Sequence, residues 1–450
     1  MNASVFRHFQ AFHGSVDPEF SVDYIGVKVR WEYTKAVPSL IDPSKPIPPM
    51  APHEEYFEWL DLLEAVHDAE RQFTMLELGA NWGRWGLRGA LAARQRGLAI
   101  RVGFAEPEPV HLRWLEQTIA DNGLSDDEAV IYPGLISDSE DVVPFIIRMG
   151  DESIEDDPRL WTGQHRATDR SARPEVISAS AIDDAYAADY EGFAVLRFPN
   201  GSLAIEVPQF TLSAILAEYE RVDLIDMDVQ GEEARIVAEG LPALNAKVRR
   251  LHIGTHGRAI EDSLKKTLTA AGWILVRDYA CHSRQPTEYG MMDFVDGVQS
   301  WINPALHPRF AGVSPADVEE QEDSVSIPLE LLKRSGESVL AWHAEGMSLI
   351  TVPRLYSFGA YLPFELPDFG TDAVTVEVAI NVEKGEIGVG WFDPDRKDWV
   401  SRETAMLGKS TVQLVVPANS PGQLIIDNRS ADGPSHVIIE AITMLPGGEQ

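Results

Sequence analysis

ELGANWGRWG, Glu77 to Gly86, follows the apolar run FTMLEL (73–78) and opens onto helix-compatible sequence that reaches Gly97. A strand-to-helix turn that receives a nucleotide needs glycine where the backbone bends sharply or approaches the ligand. A pyrophosphate site wants G-x-G-x-x-G, because the second glycine lets the phosphates sit against the helix N-terminus. Here the spacing runs from Gly79 to Gly83, and Asn81 holds the middle position. That argues against a dinucleotide. S-adenosylmethionine carries no phosphate and offers a sulfonium, an amino group and a carboxylate. The acid Glu77 beside Gly79 suits the positive groups and would repel a phosphate. A purely structural turn is the plainer reading, but the strand-then-helix context favours a cofactor.

Outward from this turn, strand and helix alternate. AIRVGFA (99–105) reads as a strand, followed by a helix with Leu112, Leu115 and Ile119 on one face and a stop at Asn122-Gly123. A weaker strand falls at Ala129–Tyr132. After an interruption the pattern resumes with a helix around Leu212, Ile215, Leu216 and Tyr219, the strand VDLIDMD (222–228) and the helix GEEARIVAEG (231–240). RRLHIG (249–254) is the next strand. A helix marked by Ile260, Leu264, Leu268 and Ala271 closes at Gly272. WILVRD (273–278) and GMMDFVD (290–296) are expected to form the final strand pair. Such alternation means a doubly wound α/β fold, a parallel sheet covered by helices.

With 450 residues the chain is too long for one ordinary domain. Residues 1–72 read as an N-terminal extension, proline-rich at KPIPPMAP and then helical, with Tyr56, Trp59, Leu60 and Leu63 on one face. The α/β domain spans 73–305, with an insertion at about 151–205 that is either a lid or a plain surface loop. Residues 306–335 read as a linker. Beyond it the apolar period becomes two: Val374, Val376, Val378, Ile380 and Val382 alternate with mostly polar residues. Short strands bounded by turn residues assign 336–450 to an all-β sandwich or jelly roll.

Composition excludes several classes. Hydrophobic residues at 44% and charged residues at 24% are globular values. A formal net charge of -33 repels nucleic acid and anionic membrane, so neither is an expected partner. The sequence contains no apolar run long enough to span a bilayer and no secretory leader pattern, so a cytoplasmic location is expected. A single cysteine, Cys281, rules out an internal disulfide framework and reads as a small buried hydrophobe.

Further candidates lie where strands end. Glu106, in FAEPEP, closes the second strand, where an acid accepts hydrogen bonds from ribose hydroxyls. Ile136, Ser137 and Asp138, after the third strand, would meet the adenine. In DMDVQGEE, Asp226 and Asp228 share one face of a strand and Asp228 falls at its carboxyl end, where ligands bind in such sheets. His256, in HIGTHG, ends the next strand and would face the same crevice as a general base. A divalent ion held by Asp226, Asp228 and His256 is the less favoured route; the preferred reading has no metal.

ELGANWG, FAEPEP, LISDS, LIDMDVQGEE, HIGTHG and GWILVRDY, in this order and spacing over about residues 73–305, resemble the FkbM family of S-adenosylmethionine-dependent methyltransferases. The resemblance implies a Rossmann-like seven-stranded sheet with an antiparallel last strand, and methyl transfer usually to oxygen on sugars, polyketides or other small or glycan acceptors. By that resemblance Glu77, Gly79, Asn81, Gly83 and Glu106 line the cofactor site, while Asp228, Gln230 and His256 face the acceptor. The family usually has lysine where Asp226 stands and glutamate where Gln230 stands. The C-terminal domain is similar to small β-domains attached to bacterial sugar-modifying enzymes, through IGVGWFDPD and LIIDNRS, which tilts the acceptor toward a saccharide; an oligomerisation or stability module is the plainer role. The expected function is therefore O-methylation of a saccharide or glycan-related hydroxyl. The rivals are an NAD-dependent oxidoreductase, and a carbohydrate-binding protein with a degenerate enzyme core.

Overall fold

The computed structural model describes residues 3–33, 45–148, 165–166, 174–177, 190, 192–287, 289–307, 325–327, 329–343, 346–363, 366, 371–418 and 420–447. The chain divides into two compact units, one of Phe9–Ser283 with Phe294–Val313, the other of Met1–His8, Arg284–Asp293 and Ser314–Gln450. No described helix is long and apolar enough to cross a membrane.

The larger unit is built on a seven-stranded sheet. Its strands are β1 (Gln72–Leu78), β2 (Ala99–Ala105), β3 (Ala129–Tyr132), β4 (Leu224–Met227), β5 (Arg250–Thr255), β6 (Ile274–Tyr279) and β7 (Gly297–Ile302). They lie in the order β6-β7-β5-β4-β1-β2-β3. All neighbours are parallel except β7, which runs antiparallel to both β5 and β6. This is the expected Rossmann-like doubly wound sheet, mixed at one edge. One expectation fails. The partner of the WILVRD strand is Gly297–Ile302, whereas Gly290–Phe294 forms a separate hairpin with Ser283–Thr287. Both segments have a strand-like pattern; all six residues of Gly297–Ile302 are buried, as the inside of a sheet requires.

Helices α1 (Tyr56–Asp68), α2 (Arg84–Gln95), α3 (Pro109–Asp121), α4 (Leu212–Ala217), α5 (Glu233–Lys247) and α6 (Arg258–Ala270) accompany the sheet. α1 packs over β4 and β5. It buries not only Tyr56, Trp59, Leu60 and Leu63 but also Asp61 and Glu64. Those acids meet buried bases of the sheet. Glu64 and Asp68 each lie 2.9 Å from Arg250, and Asp61 pairs with Arg277 and His252. Buried charges need such partners, since an unpaired one costs several kcal/mol, on the order of 3–5 when its partner is removed.

The interruption between β3 and β4 is partly a second sheet. Val142–Arg148 pairs antiparallel with Leu203–Thr211, and Val195–Arg197 and Glu175–Ile177 extend it. Most of the segment read as a lid or surface loop lies outside the described residues. Residues 308–324 of the stretch read as a linker also lie outside them, whereas Val325–Ile327 pairs with His436–Pro446.

The smaller unit carries two antiparallel sheets. One centres on Ala373–Lys384, paired along its length with Gly408–Pro417 and His436–Pro446. The other centres on Gln423–Asn428 between Phe358–Pro363 and Ile387–Asp393. Period-two alternation turns Val374, Val376, Val378, Ile380 and Val382 into one core with Val389, Trp391, Leu424 and Ile426, as in a sandwich.

Candidate active site

The turn after β1 takes three left-handed conformations, at Gly79 (φ 88°), Asn81 (φ 49°) and Gly83 (φ 85°). Gly79 is obligatory on a second count. A Cβ there would stand 1.9 Å from the backbone oxygen of Asp228, just past the end of β4. The turn is held by two acids. Glu77, buried in β1, accepts the backbone N–H groups of Trp85 and Gly86 at 2.8 Å each, satisfying donors in the first turn of α2. Burial pushes its pKa up to about 7 against the pull of these two bonds. Glu106 accepts from the backbone N–H of Asn81 at 2.7 Å and of Glu108 at 2.9 Å, tying the turn to the end of β2. The side-chain oxygen of Asn81 is buried with no hydrogen-bond partner among the described residues.

These groups open onto a cavity of about 640 Å³ at the carboxyl ends of β1, β2, β4 and β5. That is the switch point of the strand order, where β1 is flanked by β2 on one side and β4 on the other. Glu77, Gly79, Asn81, Glu106, Asp228 and Gln230 all line it. Gly83, Ser137, Asp138 and His256 do not, although Ile136 does. Gly83 instead packs at the start of α2, where a Cβ would meet Leu115 and Leu87. Ser137 and Asp138, expected at the adenine, are turned toward α5. Ser137 donates to Glu232 at 2.9 Å, and Asp138 lies 2.6 Å from Arg235.

His256 stands behind Asp228. Its Nδ1 is 2.7 Å from Glu233, and its Nε2 is 3.3 Å from Asp228 and 3.6 Å from Asp296. Burial alone would lower its pKa, but Glu233, Asp228 and Asp296 outweigh that and push it up to about 9. An imidazolium has no lone pair to accept a proton, so this shift disfavours the base role expected of His256. Asp228 is half exposed to the cavity, and Gln230 donates to it at 3.1 Å. Desolvation raises Asp228 to about 6 although His256 pulls the other way.

The metal set considered from the sequence, Asp226, Asp228 and His256, is not the one the fold gathers. Strand register puts Asp226 beside Glu77 of β1 and His252 of β5. Paired residues of parallel strands point to the same face, so the three form one row. α1 adds Glu58 above it. Glu58, Asp226 and His252 offer ligand atoms that all lie within 4.8 Å of one another. Burial, followed by Glu77, Asp228 and Asp61, holds Asp226 well above the ordinary carboxylate range. Glu58 is raised the same way, by burial and by Asp226. The sequence reading missed Glu58, Glu233, His252 and Asp296 as site residues. His252 carried a signal, since it precedes His256 by four residues on a strand ending at the crevice. Glu58 carried none, because its helix lies far away in the chain.

No known family profile matches the chain. A protein of Jannaschia sp. (strain CCS1), described as "Putative methyltransferase", is 28% identical over 308 residues, which is 68% of this chain and all of that protein. Among solved structures, methyltransferase FkbM from Methylobacillus flagellatus KT is similar over 55% of this chain and 58% of that one, at 12% identity and a TM-score of 0.30. Precorrin-6y C5,15-methyltransferase from Geobacter metallireducens GS-15 matches over 56% and 92%, at 6% identity and a TM-score of 0.28. The structural likenesses are too slight to bear on activity.

Proposed function

We propose that the chain is an S-adenosylmethionine-dependent methyltransferase of the FkbM type, acting on a hydroxyl of a saccharide or glycan-related small molecule. The observation that carries it is the β1–α2 turn. It leaves the buried Asn81 oxygen without a partner at the wall of the cavity, beside a glycine that admits no side chain. An orphaned buried acceptor asks for a donor from a ligand. The surrounding acids suit the cofactor. Glu106 has lone pairs left after its two backbone bonds, which ribose hydroxyls can use, and Glu77 favours a positive neighbour. Similarity to the Jannaschia protein supports methyl transfer as the reaction.

When bound, S-adenosylmethionine supplies an electrophilic methyl group on a sulfonium. The rest falls to this chain's residues. Asp228 takes the proton from the acceptor hydroxyl. His256, held by Glu233, keeps a positive charge beside the carboxylate and orients it, and Gln230 donates to its other side. An acid-rich wall that includes Glu54, Glu55, Glu58 and Asp296 favours an uncharged polyol over an anionic acceptor. The net charge of -33 speaks the same way against nucleic acid.

Calorimetric titration with S-adenosylmethionine and S-adenosylhomocysteine tests the reading. Micromolar binding is expected for the wild type, weakened at least tenfold in Glu106→Ala, which frees the Asn81 turn. Absence of binding to the wild type removes the reading.

A further inference from the structure

The wall of the cavity beside the glycine turn contains a buried carboxylate for which the proposed methyl transfer gives no role. Asp226 is 4% exposed, yet its side chain makes no hydrogen bond or ion pair among the described residues. It lines the cavity together with Glu58 and His252. A charge in that position is costly unless something positive arrives to meet it. The nearby cation Arg84 is engaged by Glu55.

His252 is set up as a ligand from behind. Its Nδ1 is 2.7 Å from Asp61. Arg277 and Ser300 both donate to Asp61, so that carboxylate is fixed in place and accepts from the imidazole. With the proton on Nδ1, the lone pair of Nε2 is left on the side of Glu58, whose Oε1 is 4.0 Å away. A carboxylate behind one ring nitrogen, orienting the other toward an ion, is the usual support of a metal-binding histidine. The ligand atoms of Glu58, Asp226 and His252 lie within 4.8 Å of one another, and bonds of roughly 2.0–2.3 Å to a shared ion need only small side-chain rotations.

We infer that Glu58, Asp226 and His252 form a binding site for a first-row divalent cation on the wall of this cavity. Two carboxylate oxygens and one imidazole nitrogen suit manganese or zinc better than magnesium or calcium, which prefer oxygen alone. Three protein ligands leave coordination positions open, and these face the cavity. Two neighbouring hydroxyl oxygens of a polyol can fill them, which orients the acceptor and lowers the pKa of the bound hydroxyl. That last role rests on the proposed methyl transfer; the binding site itself does not.

The test uses the full chain, freed of metal by chelation and dialysis, with Mn²⁺ as probe. Loss of the free-ion paramagnetic resonance signal and calorimetry read the binding, without any cofactor present. One Mn²⁺ per chain is expected. Glu58→Gln, at the cavity wall, and Asp226→Asn should each weaken it at least tenfold, whereas Asp228→Asn should leave it within about threefold. Mn²⁺ should raise the melting temperature of the wild type. That rise should be absent in Asp226→Asn. No Mn²⁺ binding by the wild type, or undiminished binding by both Glu58→Gln and Asp226→Asn, overturns the site. A chain that binds Mn²⁺ but no S-adenosylhomocysteine keeps the metal site and loses the methyl-transfer reading.

Discussion

Replacing Gly79 by alanine tests the joint on which the cavity depends. The new Cβ would lie 1.9 Å from the Asp228 carbonyl oxygen, and the residue would keep a φ of 88°. A left-handed conformation costs an L-residue about 1–2 kcal/mol. Overpacking against backbone, which cannot rotate away as a side chain can, adds about 1–3 kcal/mol. A loss of roughly 2–5 kcal/mol follows, a large part of the ~5–15 kcal/mol that holds a domain together. At roughly 2–4 °C per kcal/mol for a domain of this size, the melting temperature should fall by about 4–20 °C. Relief requires the turn to part from the end of β4, so the Asn81 and Asp228 sides of the cavity should separate and S-adenosylhomocysteine affinity should drop with stability. Gly97→Ala is the internal control. Its φ is 69°, but nothing lies within 4 Å of its would-be Cβ, so it bears the conformational cost alone. Scanning fluorimetry and calorimetry on both variants decide the matter. If Gly79→Ala melts no lower than Gly97→Ala and binds as the wild type does, the close approach of turn and strand is not what shapes the site.

Other outcomes follow from the same contacts. His256 should titrate near 9 in histidine-labelled NMR spectra, assigned with His256→Gln, and should fall toward the ordinary value of about 6.5 in Glu233→Gln; an ordinary pKa in the wild type would refute its role as a cation. Because the folded-state value is raised, the stability it contributes is full below pH ~6.5 and lost as pH rises through about 9. Denaturant titrations across that window should therefore show a decline that Glu233→Gln flattens. Arg250→Ala strands Glu64 and Asp68 beneath α1 and should cost about 3–5 kcal/mol in urea unfolding, against little loss if the pairs were idle. Trp391→Ala, at a fully buried position of the sandwich core, should cost about 3–5 kcal/mol; a negligible loss would mean that core is not packed as described.

Local chemistry alone determined much of this protein. The turn at Gly79, the alternation of apolar strands with amphipathic helices and the period of two after Val374 are signals carried by neighbouring residues, and the sheet and the sandwich follow from them. That Glu77, Asn81, Glu106 and Asp228 share one cavity was legible because strand ends in a parallel sheet meet at one edge by geometry, whatever their side chains. Tertiary structure decided what no neighbour in sequence could. Register set Asp226 between Glu77 and His252. α1, some 170 residues before Asp226, brought Glu58 over that row and Asp61 behind His252. The segment 297–302, rather than 290–294, entered the sheet because it could be buried on both faces. Ser137 and Asp138 turned from the cavity because Glu232, at the N-cap of α5, and Arg235 within it offered them partners. His256 shows the division best. Its identity marked it as a proton acceptor, but the three carboxylates that raise its pKa reach it only through the fold. A charge state is a sum over space, and the sequence lists only the terms.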